Sequence, residues 1–144
     1  RLERIELEHV DGVLPMPGAC ELLDAVRESG RRTGIVTRNC RRAVLLSLEK
    51  TGIGGDVLLT RDDVPKVKPH PEHLLIALGM LGASPDRAVM VGDHWLDVLA
   101  GRNAGTRTVG VLLPDLPEDL FAGREPDLLV RSLGEIAELV ADEA

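Results

Sequence analysis

Asp93 and Asp97 stand four residues apart in the stretch AVMVGDHWLDVLAGRNAG, which runs from Ala88 to Gly105. Two carboxylates one helical turn apart can converge on a hard cation such as Mg²⁺, which takes oxygen ligands and keeps several waters. Thr37, Arg38 and Asn39 follow one another, and a hydroxyl, a guanidinium and an amide are all donors for the oxygens of an anion. Lys68 precedes Pro69, His70 and Pro71, so it sits on stiff backbone and is better fixed than an ordinary surface lysine. Anion donors, one fixed cation and a cation-binding carboxylate pair suit a phosphoryl group, whose charge needs Lys and Mg²⁺ and whose orientation needs fixed donors. Each group also has a plainer reading. Asp93 could cap a helix with Asp97 in solvent, Thr37 or Asn39 could cap the next helix, and Lys68 could be solvated. His70 and His73 lack a third ligand at metal-site spacing and read as a loop residue and a helix-face residue.

The groups act together only if the chain gathers them. Ala88 to Val91 form an uninterrupted apolar run, as in a strand buried on both faces of a parallel sheet. Leu96, Leu99 and Ala100 follow at helical spacing, and Gly105 takes the place of a closing glycine. Thr33 to Val36, Val57 to Leu59, Thr106 to Val111 and Leu128 to Val130 read as further strands. Between them lie a helix opened by Pro17-Gly18, one over Ala43 to Leu48, and one from about Glu72 to Gly82. Ser84-Pro85 starts a single turn, and Ser132 with Glu135 makes a capping box for a C-terminal helix. Regular alternation predicts an α/β fold: a doubly wound, Rossmann-like parallel sheet with helices on both faces. Such sheets bind ligands at their carboxyl edge, and Thr37, Lys68 and Asp93 all fall at or just past predicted strand ends. Residues 1–14, RLERIELEHVDGVL, read as a helix with Leu2 and Ile5 on one face, or as a strand in which Ile5, Leu7 and His9 alternate.

The 144 residues suffice for one domain with a real core. Trp95 and Phe121 are the only aromatics, so Leu, Val, Ile, Ala and Met must fill the interior. A net charge of −7 argues against a nucleic-acid partner, though local Lys, Arg and backbone N–H groups can still bind a small anion. No apolar run reaches membrane-spanning length and no signal peptide is visible, so no membrane partner is expected. Cys20 and Cys40 read as reduced thiols of a cytoplasmic protein. The first residue is Arg1 instead of Met, which places the expected natural start upstream.

The order GIVTRN, KPHPE and VMVGDHWLDVLAGRNAGTRTVGV resembles the haloacid dehalogenase (HAD) superfamily of phosphatases, in its phosphoglycolate-phosphatase-like branch, from about Pro15 to the C-terminal helix. The resemblance implies a HAD-like core over residues 15–144, Mg²⁺ as cofactor and a small phosphorylated substrate. It implies that Thr37 binds the substrate phosphate with help from Arg38 and Asn39, and that Lys68 neutralises the phosphate and the nucleophile. Asp93 becomes a Mg²⁺ ligand, and Asp97 holds the metal's waters or orients Lys68. The family's first motif, D-x-D-G-T, supplies a nucleophilic Asp and a second Asp that protonates the leaving group. This chain has no such string; the nearest is His9-Val10-Asp11-Gly12-Val13. Residues 1–14 then read as the end of a cap helix or as a degenerate first motif.

Three expectations follow. The chain is a fragment or alternative-start form of a phosphomonoesterase, impaired because the nucleophile motif is missing. Alternatively it is a degenerate, non-catalytic member that binds a phosphorylated ligand or a protein. Least favoured is activity through His9 or Asp11. A flavodoxin-like regulatory domain shares the layout, but KPHPE followed by GDxxxD is not its pattern. A missing central strand would leave apolar edges open and invite self-association or a partner strand.

Overall fold

The computed structural model describes residues 17–142. The readings of residues 1–14 as cap remnant or degenerate motif, and of His9 and Asp11 as nucleophiles, lie outside the described residues. Five helices and five strands alternate along the described chain: α1 (Ala19–Glu28), β1 (Gly34–Val36), α2 (Arg41–Thr51), β2 (Val57–Leu59), α3 (Glu72–Leu81), β3 (Val89–Gly92), α4 (Trp95–Ala104), β4 (Arg107–Val111), β5 (Leu128–Val130) and α5 (Leu133–Asp142). Single 3₁₀ turns occupy Arg61–Asp63 and Pro85–Arg87. The expected α/β alternation is therefore present, with parallel strands throughout.

Gly105 closes α4 at φ 86°, a left-handed conformation that a side chain resists. At the other end of the chain, Ser132 Oγ accepts the Glu135 N–H at the start of α5, while the Glu135 carboxylate turns to the Arg131 N–H. The cap forms, displaced by one residue from the expected box.

The strands fall into two groups. β1 pairs with β2, from Gly34 opposite Val57 to Val36 opposite Leu59. β4 lies between β3 and β5, with Val91 opposite Val109 and Val109 opposite Leu128. Among the described residues, no ladder joins β1 to β3. Helices hold the two groups together instead: α3 packs on β1, β2 and α4, and α4 packs on β3 and β4. Leu74, Ala100 and Ala104 form one buried cluster, against which Val36 of β1 and Met90 of β3 both pack. On the opposite face, Val109, Val111 and Val130 meet Leu133 and Ile136 of α5, with Ala19, Leu22 and Val91 beside them.

The split corrects one expectation. The apolar run Ala88 to Val91 implies a strand buried on both faces, yet Val89 is 55% exposed and its neighbours are only half-buried. β4, flanked by a strand on each side, is buried from Thr108 to Val111. The difference is neighbours: β3 has β4 on one edge and no described strand on the other.

Close approach of α4 to the sheet depends on Gly101. A Cβ there would lie 2.7 Å from Thr108 Cγ2 and 2.8 Å from Met90 Cβ. Gly79 of α3, by contrast, has nothing within 4 Å of its Cβ position. The two helical glycines should therefore respond with opposite sign in urea melts. Gly101→Val lowers stability by about 2–3 kcal/mol through overpacking. Gly79→Ala raises it by about 0.5–1 kcal/mol through helix propensity.

Candidate active site

Lys68 is the hub of the carboxyl edge. It is 8% exposed, and its Nζ donates to the Val36 carbonyl at 2.9 Å and to Asp97 Oδ1 at 2.7 Å. Val36 ends β1 and Asp97 sits in the first turn of α4, just after β3. One ammonium thus bridges the two strand groups where no backbone ladder does. An ammonium has three donors, so two bonds leave one proton for a ligand.

Asp97 is held from three directions. Its Oδ1 accepts Lys68, its Oδ2 accepts the His94 N–H at 3.3 Å, and Gly92 lies against the carboxylate. A Cβ on Gly92 would fall 2.2 Å from Asp97 Oδ2 and 2.3 Å from its Cβ, so a glycine is required before Asp93. His94 caps α4, its Nδ1 accepting the Leu96 N–H at 3.1 Å. The plainer reading of this motif is therefore set aside: Asp93 is not the cap, and Asp97 is buried instead of solvated.

Thr37 directly follows Val36, and its N–H extends the β1–β2 ladder to the Leu59 carbonyl at 3.0 Å. Its Oγ1 accepts the Asn39 N–H at 3.2 Å. That bond occupies a lone pair and leaves the hydroxyl proton free to donate outward. The Arg38 N–H has no partner among the described residues. The loop is braced from behind by the 3₁₀ turn after β2. The Arg61 N–H donates to the Asn39 carbonyl, and the Arg61 guanidinium reaches the Arg38 carbonyl. Asp62 accepts the Arg41 N–H at 2.8 Å, supplying the cap of α2 that the sequence reading gave to Thr37 or Asn39. Asp63 takes both arms of the Arg41 guanidinium as well as Thr60. Burial pushes the Asp63 carboxyl up, but those hydrogen bonds outweigh it and hold the group below its usual range.

Asp93 is half-buried, and no hydrogen bond or ion pair among the described residues engages its carboxylate. No three His, Cys, Asp or Glu side chains converge as a metal cluster among the described residues. The donor set suits a cation that binds through one or two carboxylates and keeps its waters, as Mg²⁺ does. Both Asp93 oxygens are without a protein partner among the described residues, whereas each Asp97 oxygen already accepts one hydrogen bond, from Lys68 or His94.

Thr37, Lys68, Asp93 and Asp97 are thus brought together, with Arg38 and Asn39 exposed on the adjoining loop. His70 lies on the loop before α3, its Nδ1 accepting the Glu72 N–H. The sequence reading placed His73 on a helix face and gave it no contact with Lys68. The histidine is wholly buried, and its Nδ1 accepts the Lys68 backbone N–H at 3.3 Å. Its spacing of five from Lys68 carries no helical or strand signature. Burial, together with the nearby Lys68 charge, pushes the imidazole below its ordinary pKa, only partly opposed by the Leu59 carbonyl and Asp63.

A pH effect follows. Below about pH 6.5 the unfolded imidazole takes up a proton that the folded one refuses, so the unfolded state binds more protons. The contribution is complete above that pH and is lost as pH falls below it. Urea midpoints measured at about pH 7.5 and about pH 5.5 should drop for the parent chain, and drop less for His73→Asn.

Comparison with known proteins agrees with this arrangement. A family model of haloacid dehalogenase-like hydrolases matches residues 1–111. The pyrophosphatase PpaX of Bacillus velezensis is 41% identical over 118 residues, covering 81% of this chain and 55% of that protein. The PpaX of Halalkalibacterium halodurans is 35% identical over 134 residues, covering 92% and 62% respectively. The chain spans little more than half the length of these curated relatives. Among solved structures, a HAD phosphatase from Thermococcus onnurineus superposes with a TM-score of 0.80 at 29% identity, covering 97% of this chain and 64% of that one. A predicted phosphoglycolate phosphatase from Haemophilus somnus gives 0.75 at 26% identity, covering 86% and 56%. With 111 of its 144 residues inside the family model and its strand-end residues gathered on one lysine, the chain belongs to the haloacid dehalogenase-like hydrolase family.

Proposed function

We propose that this chain is the core of a Mg²⁺-dependent phosphomonoester hydrolase acting on small phosphorylated metabolites in the cytoplasm, and that alone it is impaired. The observation that carries the reading is the buried Lys68 ammonium, fixed by Asp97 and by the carbonyl of Val36, the residue before Thr37, with one proton to spare. A phosphoryl group there meets Lys68, the Thr37 hydroxyl, the Arg38 N–H and the Asn39 side chain. Asp93 would hold Mg²⁺, which when bound neutralises charge on the phosphoryl oxygens. Asp97 orients Lys68.

Impairment rests on the residues that are missing from this set. Lys68, Asp97 and Thr37 bind, orient and neutralise, but none of them is an unengaged nucleophile, and the sequence contains no D-x-D-G-T. Among the described residues β1 and β3 share no ladder, which supports the same reading, since a strand carrying the nucleophile would fit between them. On this proposal the seam between β1 and β3 takes either a partner strand or a second copy. The names of the relatives, a pyrophosphatase and a phosphoglycolate phosphatase, favour small phosphate compounds. The same seam also favours a second reading, a non-catalytic remnant that binds a phosphorylated ligand or a protein.

Hydrolysis of p-nitrophenyl phosphate with Mg²⁺ separates these cases. The chain alone should give no turnover, and the chain joined to an upstream segment bearing D-x-D-G-T should turn over. Silence of the extended chain favours the remnant. Turnover by the chain alone that disappears in Asp93→Asn would overturn the claim of impairment. Calorimetry supplies a separate check on the metal: Asp93→Asn should weaken Mg²⁺ binding at least about tenfold. Equal affinity in variant and parent would remove Asp93 from the metal site.

A further inference from the structure

His73 carries a role that neither the spacing of the motifs nor the family resemblance assigns. It lies in the first turn of α3, 0% exposed, beside Leu74 and Ala77 of the core. A buried histidine is costly unless its nitrogens are used. Here one nitrogen is used and the other is not. Nδ1 accepts the Lys68 N–H, so the proton belongs on Nε2. Nε2 is buried without a hydrogen-bond partner among the described residues, with the Leu59 carbonyl near enough to favour its proton. A leucine would fill this space with no orphaned N–H. The compensating gain of a histidine is its acceptor on Lys68.

That acceptor matters because it holds the Lys68 backbone N–H itself, where the other loop bonds, His70 N–H to Val67 and Asn103 to Pro69, hold only its neighbours. The Lys68 Nζ is tied to Val36 and Asp97, on two other elements, while its backbone lies in a loop before α3. Four methylenes between the two ends leave many rotamers that miss Asp97. Fixing the backbone N–H from the first turn of α3 restricts the starting point of the side chain. We infer that His73 is a positioning residue, whose neutral Nδ1 anchors the Lys68 backbone so that the ammonium lands between the Val36 carbonyl and Asp97, and so sets the affinity for an anion. The last clause rests on the phosphate reading given above; the anchoring itself does not.

Competitive acetylation with acetic anhydride reads the anchoring directly, with exposed Lys66 as reference in the same chain. In the parent, Lys68 should react far more slowly than Lys66. His73→Leu keeps the volume and removes the acceptor, and should raise Lys68 reactivity relative to Lys66 by about tenfold, the effect of one lost hydrogen bond. His73→Asn places a carbonyl oxygen near the Nδ1 position and should restore the parent ratio to within about twofold. Orthophosphate affinity should follow the same order. Unchanged Lys68 reactivity in His73→Leu overturns the inference, and so does failure of Asn to rescue it. If the parent binds no orthophosphate, the phosphate reading fails while the acetylation ratio still decides the anchoring. Should the leucine variant not fold, the nitrogen spectrum of the parent decides. A His73 ring protonated on Nε2 alone supports the inference, and one protonated on Nδ1 overturns it.

Discussion

The ion pair between Lys68 and Asp97 is the constraint on which the carboxyl edge depends. Its side chains are 9% and 12% exposed, so each charge has given up most of its water. Attraction at 2.7 Å offsets that loss only when the remaining polar atoms also find partners. Here most do: the Val36 carbonyl accepts a second lysine proton and the His94 N–H donates to the second carboxylate oxygen. Removing either partner alone would strand a buried charge, at a cost of about 3–5 kcal/mol. The pair also reaches from the end of β1 to the start of α4. It therefore sets the relative position of two strand groups that share no ladder among the described residues.

This geometry divides the two aspartates of the GDHWLD stretch. Asp97 is engaged internally, by Lys68 and by the helix cap, and its value lies in keeping a cation aimed. Asp93 has no such engagement and keeps its oxygens for a ligand. Gly92 enforces the division, because any side chain there would occupy the space of the Asp97 carboxylate. Spacing of four residues, which alone suggests two equivalent carboxylates, here yields one that is engaged by protein donors and one that is not. The turn decides between them, since the residue at the strand end points outward while the one in the first helical turn is covered.

Much of this was legible from residue order because strand, turn and helix punctuation is local. Gly105, Gly82 and Gly52 close helices where the apolar periodicity stops, all with positive φ. Thr37, Lys68 and Asp93 could be assigned to one edge because parallel strands share a carboxyl end. What was not legible depends on contacts across the chain. His73 looked like a helix-face residue, since nothing in HLLIAL shows that its ring meets the Lys68 backbone. Asp62 and Asp63 carry no local signal, although Asp62 caps α2 and Asp63 grips the Arg41 guanidinium from 21 and 22 residues away. The burial of β3 was overestimated for a related reason: composition records what a strand is suited to touch, and neighbours decide what it does touch.

That mismatch constrains what can occupy the space between β1 and β3. Gly34-Ile35-Val36 and Val89-Met90-Val91 have the composition of interior strands, yet Gly34 and Val89 are exposed. Both strands end at the Lys68–Asp97 bridge, Val36 through its carbonyl and Gly92 through its contact with Asp97, so they run in the same direction. A strand inserted parallel to them would bring its carboxyl end to Thr37, Lys68 and Asp93. One inserted antiparallel would bring its amino end there and point its final residues away from the site. Only the parallel arrangement continues the ladders on both sides in the sense that β1–β2 and β3–β4 already have. A group that reacts at this edge is therefore best delivered by the last residues of such a strand, because the binding residues around it are themselves strand-end residues held at the same level.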